Sequence, residues 1–342
     1  MIRETKLDQE IQATRIVEDA NEKIWQRIKF GAIVLMVAAL IIAPQFAGNY
    51  LIYVLSLWAI ITISAQGLNL TMGFAGKVSL AQGAFMGIGA YTSVLLVKNG
   101  WANYWTAMLI AAVFCMMIGA LIGFPALRVK GHYLAFVTLA FNELVILVLR
   151  NEEQWTGGPL GILNIERPSM FGYSLFQPVR FYYFCLLMLG IVTLAVWYMI
   201  HSPWGRAFKA LRDNPNRAES VGLSTTTYTL LAFAIGSGLA GIAGAMLAPL
   251  VEFIDPSSFD LNKSLEFLLM VMVGGRGTMA GPFIGAFFAK VLPELLRFAN
   301  EYYLIVFAVF VMVVILFFPT GIVGIGSYLK DRFFSGKEKE SG

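Results

Sequence analysis

Hydrophobic residues in this chain come in long unbroken runs rather than in the alternation of a half-buried strand or the stripe of a surface helix. A helical membrane crossing needs about 20 mostly apolar residues, because backbone groups in hydrocarbon must be satisfied within the segment. Runs that meet or approach this length occupy 30–46, 50–70, 79–97, 103–124, 132–149, 180–200, 229–250, 281–298 and 302–318. A shorter run, 264–274, is interrupted by Gly274 and Gly275 and holds Glu266 near its start. If it crosses, the chain has about ten spans and both termini share one side. Lys77, Arg128 with Lys130, the polar stretch 201–228, Arg276 and the tail residues Lys330, Arg332, Lys337 and Lys339 then all lie on that side, which the positive-inside rule makes the cytoplasm. If 264–274 is only re-entrant, the basic tail falls outside, which the same rule disfavours. The expected fold is an all-α integral membrane protein of about ten transmembrane helices.

The polar breaks between runs are the informative places. Residues 201–222 form a basic island between two apolar spans, longer than a simple connection needs. Ser202-Pro203 is a helix start, with the Ser as cap and the Pro at the first position, where its missing donor costs nothing. Asp213-Asn214-Pro215 ends that helix and opens a second, very short one that Gly222 can close. The island reads as a docking surface facing the cytoplasm; the plain alternative is a solvated loop. Residues 150–179 form a second long loop, on the opposite side, with turn chemistry at Gly157-Gly158-Pro159-Leu160-Gly161.

Inside the spans, Gln66, Asn69, Ser79 and Gln82 stand among glycines at membrane depth. Polar groups there face protein or water, so they either line a substrate path or hydrogen-bond helix to helix. Glu143 lies within the span 132–149 and is open to the same two readings, path or glue. Gly236, Ala240, Gly244 and Ala248 recur at four-residue spacing and predict a close helix-packing seam. Lys290 and Glu294 fit a local four-residue pair. Gly73 with Gly83-Ala84-Phe85 recurs as Gly275 with Gly285-Ala286-Phe287, a match that an internal repeat explains and that glycine-rich helices also produce by chance.

Composition agrees: 58% of residues are hydrophobic and 13% charged, with mean hydropathy +0.71, outside the range of soluble domains. The net charge of +4 gathers beside apolar spans, so it orients the chain in lipid and implies no nucleic-acid partner. Residues 1–29 mix both charges with Leu7, Ile11, Val17, Ile24 and Ile28 at near-helical spacing, as in an amphipathic helix on the cytoplasmic surface. Cys115 and Cys185 lie in apolar runs and imply neither a disulfide framework nor a metal site. With two histidines and no GxxxxGK[ST] loop, the sequence offers no enzyme constellation and no nucleotide site of that kind.

Four stretches resemble one family: GLNLTMGFAGKVSLAQGAFMGIGAY from Gly67, LRVKGHYLAFVTLAFNELV from Leu127 with TGGPLGI from Thr156, RAFKALRDNPNRAESVGLS from Arg206, and MVGGRGTMAGPFIGAF from Met272. Together with FFPTGIVG from Phe317 they are similar to the LivM-type permease subunits of branched-chain amino acid ABC importers. The resemblance implies a LivH-like second permease, two cytoplasmic ATPase subunits that bind ATP and magnesium, and an extracytoplasmic binding protein. It implies no cofactor on this chain. It assigns the island to ATPase coupling through Arg206, Arg212, Asp213, Asn214, Ala218, Glu219 and Gly222. It places Thr156, Gly157, Gly158 and Gly161 in the loop that meets the binding protein, and Glu143 at the family's acidic position. The expected organisation is a surface helix over 1–29, a membrane domain over 30–328 and a cytoplasmic tail over 329–342. Cargo stays open between branched-chain amino acids and urea or short amides, and the reading from another class is an ion-coupled transporter using Glu143.

Overall fold

In the computed structural model the described residues are 34–46, 48–127, 133–170, 173–295 and 321–324, with Gly31, Met312 and Leu316. The expected surface helix 1–29, the tail 329–342 and, apart from Met312 and Leu316, the span 302–318 lie outside them, as do Arg128 and Lys130. The chain divides into two compact units, Met1–Ile52 and Tyr53–Gly342. In the first, α1 covers Val34–Phe46 and α2, Asn49–Leu68, begins.

In the second unit α2 continues as a π turn, Asn69–Phe74. Then follow α3 (Gln82–Lys98), α4 (Tyr104–Leu127), α5 (Tyr133–Asn151), the single turn α6 (Glu153–Thr156) and α7 (Pro178–His201). The island forms α8 (Pro203–Asp213) and α9 (Pro215–Ser220), and α10 is Thr225–Val251. Beyond it lie α11 (Leu261–Gly274), α12 (Gly281–Ala286), a second π turn Phe287–Val291, and α13 (Leu292–Leu295). Two 3-10 turns, Gly158–Leu160 and Pro256–Phe259, and two short antiparallel pairs also occur, β1 (Ile162–Leu163) with β4 (Phe253–Ile254) and β2 (Ser169–Met170) with β3 (Tyr173–Ser174).

Among the described residues five helices are long and apolar enough to cross a membrane: Asn49–Phe74, Tyr104–Phe124, Tyr133–Asn151, Pro178–His201 and Thr225–Val251. They coincide with five of the runs read from hydropathy. The run expected at 79–97 begins differently. Residues 75–81 are not helical, and α3 starts at Gln82 beside Ser64 of α2, to whose carbonyl Gln82 Nε2 donates at 2.7 Å. The chain therefore doubles back alongside α2 in a non-helical segment before it turns helical. Such backbone is tolerated at membrane depth only where protein or water satisfies it.

The glycine seam packs as its spacing predicts. α10 lies against α3 and α4; Gly236 sits over the Gly67 carbonyl of α2, and a Cβ on Gly244 would clash with the Met86 carbonyl of α3. Helix backbones can approach this closely only when one partner has no side chain there, and in lipid that approach, through dispersion contacts, is what holds helices together.

The short run 264–274 belongs to a segment that travels the length of the unit. At one end β4 pairs with β1 of the 150–179 loop, and Arg167 meets Glu252 at 3.0 Å. From there Ser257 reaches Arg150, Phe259 packs on Tyr91, and Ser264 bonds Asn142. At the other end the turn after Gly274 meets the π turn of α2, beside the island. Its helix, 14 residues and about 21 Å at 1.5 Å per residue, covers only part of that distance. The strand Phe253–Ile254 and the 3-10 turn Pro256–Phe259 before Leu261 supply the rest.

Candidate functional site

Local chemistry builds the island as the sequence predicts. Ser202 Oγ accepts from the Trp204 amide at 3.2 Å and Asn214 Oδ1 from the Arg217 amide at 3.1 Å, so each short helix carries its own N-cap. Gly222, at φ +84°, ends α9, and its amide reaches the Glu219 carbonyl at 2.9 Å. Thr225 donates to Glu219 Oε1 at 2.6 Å, which ties α9 to the first turn of α10. Ala207, Phe208, Leu211 and Ala218 are buried against the helices, whereas Arg206, Lys209, Arg212, Asp213, Arg217 and Glu219 are exposed. The result is a rigid platform with a charged outer face.

Arg212 links that platform to the helix break. Its Nη1 donates to the Gly73 carbonyl at 3.0 Å, while its Nε pairs with Asp213 at 3.1 Å. Gly73 lies in the π turn, and a side chain there would run into the Gly277 amide. Asn69, one turn earlier, clasps the same partner loop: Oδ1 accepts from the Gly277 amide and Nδ2 donates to the Thr278 carbonyl, both at 2.8 Å. Island, π turn and the loop between α11 and α12 thus form one hydrogen-bonded chain. The two glycine turns that match in sequence, at Gly73 and Gly275–Gly277, meet here.

Gln66, Asn69, Ser79 and Gln82 are all buried, and each bonds to protein in this structure. Gln66 Nε2 reaches Thr193 of α7 at 2.9 Å; Gln82 reaches Ser64; Ser79 Oγ accepts from the Ala81 amide at 3.4 Å. Asn142, Thr138 and Ser264 were not singled out, yet they surround the start of α3. Thr138 Oγ1 accepts from the Leu80 amide, Ser264 Oγ from the Gly83 amide and Asn142 Oδ1 from the Ala84 amide, at 2.9, 2.9 and 3.0 Å. A helix that begins inside the membrane has orphan donors there, and α5 and α11 satisfy them with side chains.

Glu143 is not part of this layer. It is exposed on the outer face of α5, with Leu144 and Leu147 beside it, while its neighbour Asn142 is fully buried. Lys290 also differs from expectation. It reaches across to Glu266 of α11 at 2.6 Å, and Lys263 meets the same carboxylate at 3.1 Å.

At the opposite end, Thr156 Oγ1 donates to the Leu149 carbonyl at 2.7 Å and accepts from the Gly158 amide at 3.2 Å. Gly157, Gly158 and Gly161 all have positive φ, and a side chain on Gly161 would strike the Ile254 carbonyl. The motif therefore fixes the loop to β4. It leaves Trp155, Leu160 and Leu163 exposed at the surface. A cavity of about 460 Å³ opens nearby, between Lys98, Tyr104, Asn164, Glu166 and Pro249.

Residues 50–318 match the family described as the permease component of the branched-chain amino acid transport system. The chain belongs to this family. This permease is 33% identical over 314 residues to the high-affinity branched-chain amino acid transport system permease protein LivM of Escherichia coli, covering 84% of this chain and 74% of that one. It is 32% identical over 314 residues to LivM of Salmonella typhimurium, with the same coverage. It is also 26% identical over 254 residues to LsrC, the autoinducer 2 import system permease protein of Yersinia pseudotuberculosis, covering 70% and 69%. No solved structure matches the chain. The permease is thus a multi-pass subunit of an ABC importer of the inner membrane, a transport subunit rather than an enzyme.

Proposed function

We propose that this permease carries branched-chain amino acids, delivered by an extracytoplasmic binding protein, and that the island 201–228 couples it to two ATPase subunits. Those partners bind ATP and magnesium, this chain binds neither, and a LivH-like permease forms the other half of the pathway. The chain crosses about ten times with both termini in the cytoplasm. Family membership and the LivM relatives support the cargo; the LsrC relative marks autoinducer 2 as the cargo of another branch.

The observation that carries the coupling reading is the hydrogen bond from Arg212 to the Gly73 carbonyl. It puts a cytoplasmic platform in direct register with a helix break whose other side is the α11–α12 loop. ATPase closure displaces the platform, and the π turn and the start of α3 move with it, which switches the pathway between its two facings. In this scheme Arg206, Asp213, Asn214, Ala218, Glu219 and Gly222 shape the face that the ATPase holds. The loop with Thr156, Gly157, Gly158 and Gly161 presents its apolar tip to the binding protein, and Gln66, Asn69, Ser79 and Gln82 are held by protein in one facing and released in the other. The test is uptake of labelled leucine into proteoliposomes of the full complex with and without trapped ATP. Uptake only with ATP supports the reading; uptake driven by an ion gradient alone overturns it.

A further inference from the structure

The ion triad of Lys263, Glu266 and Lys290 has no role in the scheme above. Its depth can be read from hydrogen bonds. Asn142 is the middle residue of the 19-residue α5, and Ser264 Oγ donates to it at 2.9 Å. Lys263 precedes Ser264 and Glu266 lies two residues after it, within about 3 Å along α11 at 1.5 Å per residue. The triad therefore lies near the middle of the membrane.

Its facing is equally defined. Ser264 is fully buried toward α3 and α5, whereas Lys263 and Glu266 lie on the other side of the helix and meet Lys290 beyond α12. Their side chains keep 16%, 28% and 20% exposure, so protein does not seal them completely on that side. Charges at this depth do not face lipid; they face a partner or a water-filled route. The count is also uneven. Two ammonium groups share one carboxylate, which leaves one positive charge uncompensated among the three residues. α11 begins at this depth, preceded by the 3-10 turn Pro256–Phe259 rather than by a continuous α-helix, and transporter binding sites occur at mid-membrane where helices are interrupted in this way.

We propose that this triad receives the carboxylate of the cargo during translocation. The proposal rests on the reading of the permease as a carrier of branched-chain amino acids. The incoming carboxylate takes the surplus ammonium while Glu266 keeps the other, and Glu266 weakens the site enough for cargo to leave. A cargo without a carboxylate gains nothing there.

The test pairs import with binding on the intact complex of both permeases and both ATPases. Import of labelled leucine, with the binding protein present, tests the cargo reading alone: no import overturns that reading. Equilibrium binding of leucine without the binding protein, competed by leucinamide, tests the triad. The expected result is that leucinamide competes at least 100-fold less well than leucine on the wild type. Lys290→Gln and Lys263→Gln should each weaken leucine binding at least tenfold and narrow that discrimination, with Lys290→Arg restoring it and Glu266→Gln holding or strengthening leucine binding. Assembly of each variant is checked by co-elution of the four subunits, and Lys290→Gln with its Arg rescue decides the matter if Lys263→Gln does not assemble. A complex that imports leucine but binds it no better than leucinamide overturns the proposal. So does unchanged discrimination in the lysine variants. Loss of the second permease subunit from these variants, with discrimination intact, means the surplus ammonium pairs with that subunit, and this too overturns it.

Discussion

At the scale of single residues, the start of α3 is held by side chains from two other helices. Asn142 accepts from the Ala84 amide and from the Ser264 hydroxyl, so Asn142→Ala leaves both donors unpaired in a buried setting. An unsatisfied buried donor costs about 1–3 kcal/mol, and the expected outcome is a lower midpoint of thermal unfolding in detergent, with Glu143→Gln close to wild type. The contrast between these neighbours was not legible in the sequence. Depth follows from hydropathy, but facing depends on which helix arrives opposite, and α11 reaches Asn142 only through long-range folding. Gly244 is the opposite case: its four-residue spacing announced close packing, and the Met86 carbonyl fills the place where a side chain would go. Gly244→Val should destabilise by about 1–3 kcal/mol or more through overpacking against backbone, read as loss of monodisperse protein.

At the scale of elements, the island is the most predictable part because its signals are local. Ser202-Pro203, Asn214-Pro215 and Gly222 are start, restart and stop signals that need no tertiary partner, and each occupies the place its chemistry dictates. The expected effect of Ser202→Ala or Asn214→Ala is a loss of about 1 kcal/mol of local stability, seen as faster amide exchange across α8 or α9. Charge reversal at Arg206, which is exposed, should reduce co-purification of the ATPases at least severalfold while the permease stays folded; unchanged co-purification and transport would remove Arg206 from the contact. The break before α3 was foreshadowed only by glycines. The helix start after it depends on Thr138, Asn142 and Ser264, whose partnership no local pattern encodes. Pairing of Lys290 with Glu266 rather than Glu294 has the same origin, since α12 lies against α11.

At the scale of the whole molecule, five spans among the described residues agree with the hydropathy reading. The structure brings Lys77, the island and the Arg276 loop to one end, and the Thr156–Gly161 loop to the other. Sidedness follows from the positive-inside rule. A cysteine at Lys209 should therefore react with a membrane-impermeant maleimide only after the cells are opened, and one at Leu160 should react in intact cells. The reverse pattern would invert the topology and remove the island from reach of any cytoplasmic ATPase.

The central claim is that the Arg212 bond to the Gly73 carbonyl passes platform motion into the membrane. Its most direct test is the number of leucine molecules imported per ATP hydrolysed by proteoliposomes carrying Arg212→Gln. The account predicts an assembled complex that still hydrolyses ATP while import per ATP falls at least tenfold; import per ATP equal to wild type would contradict it.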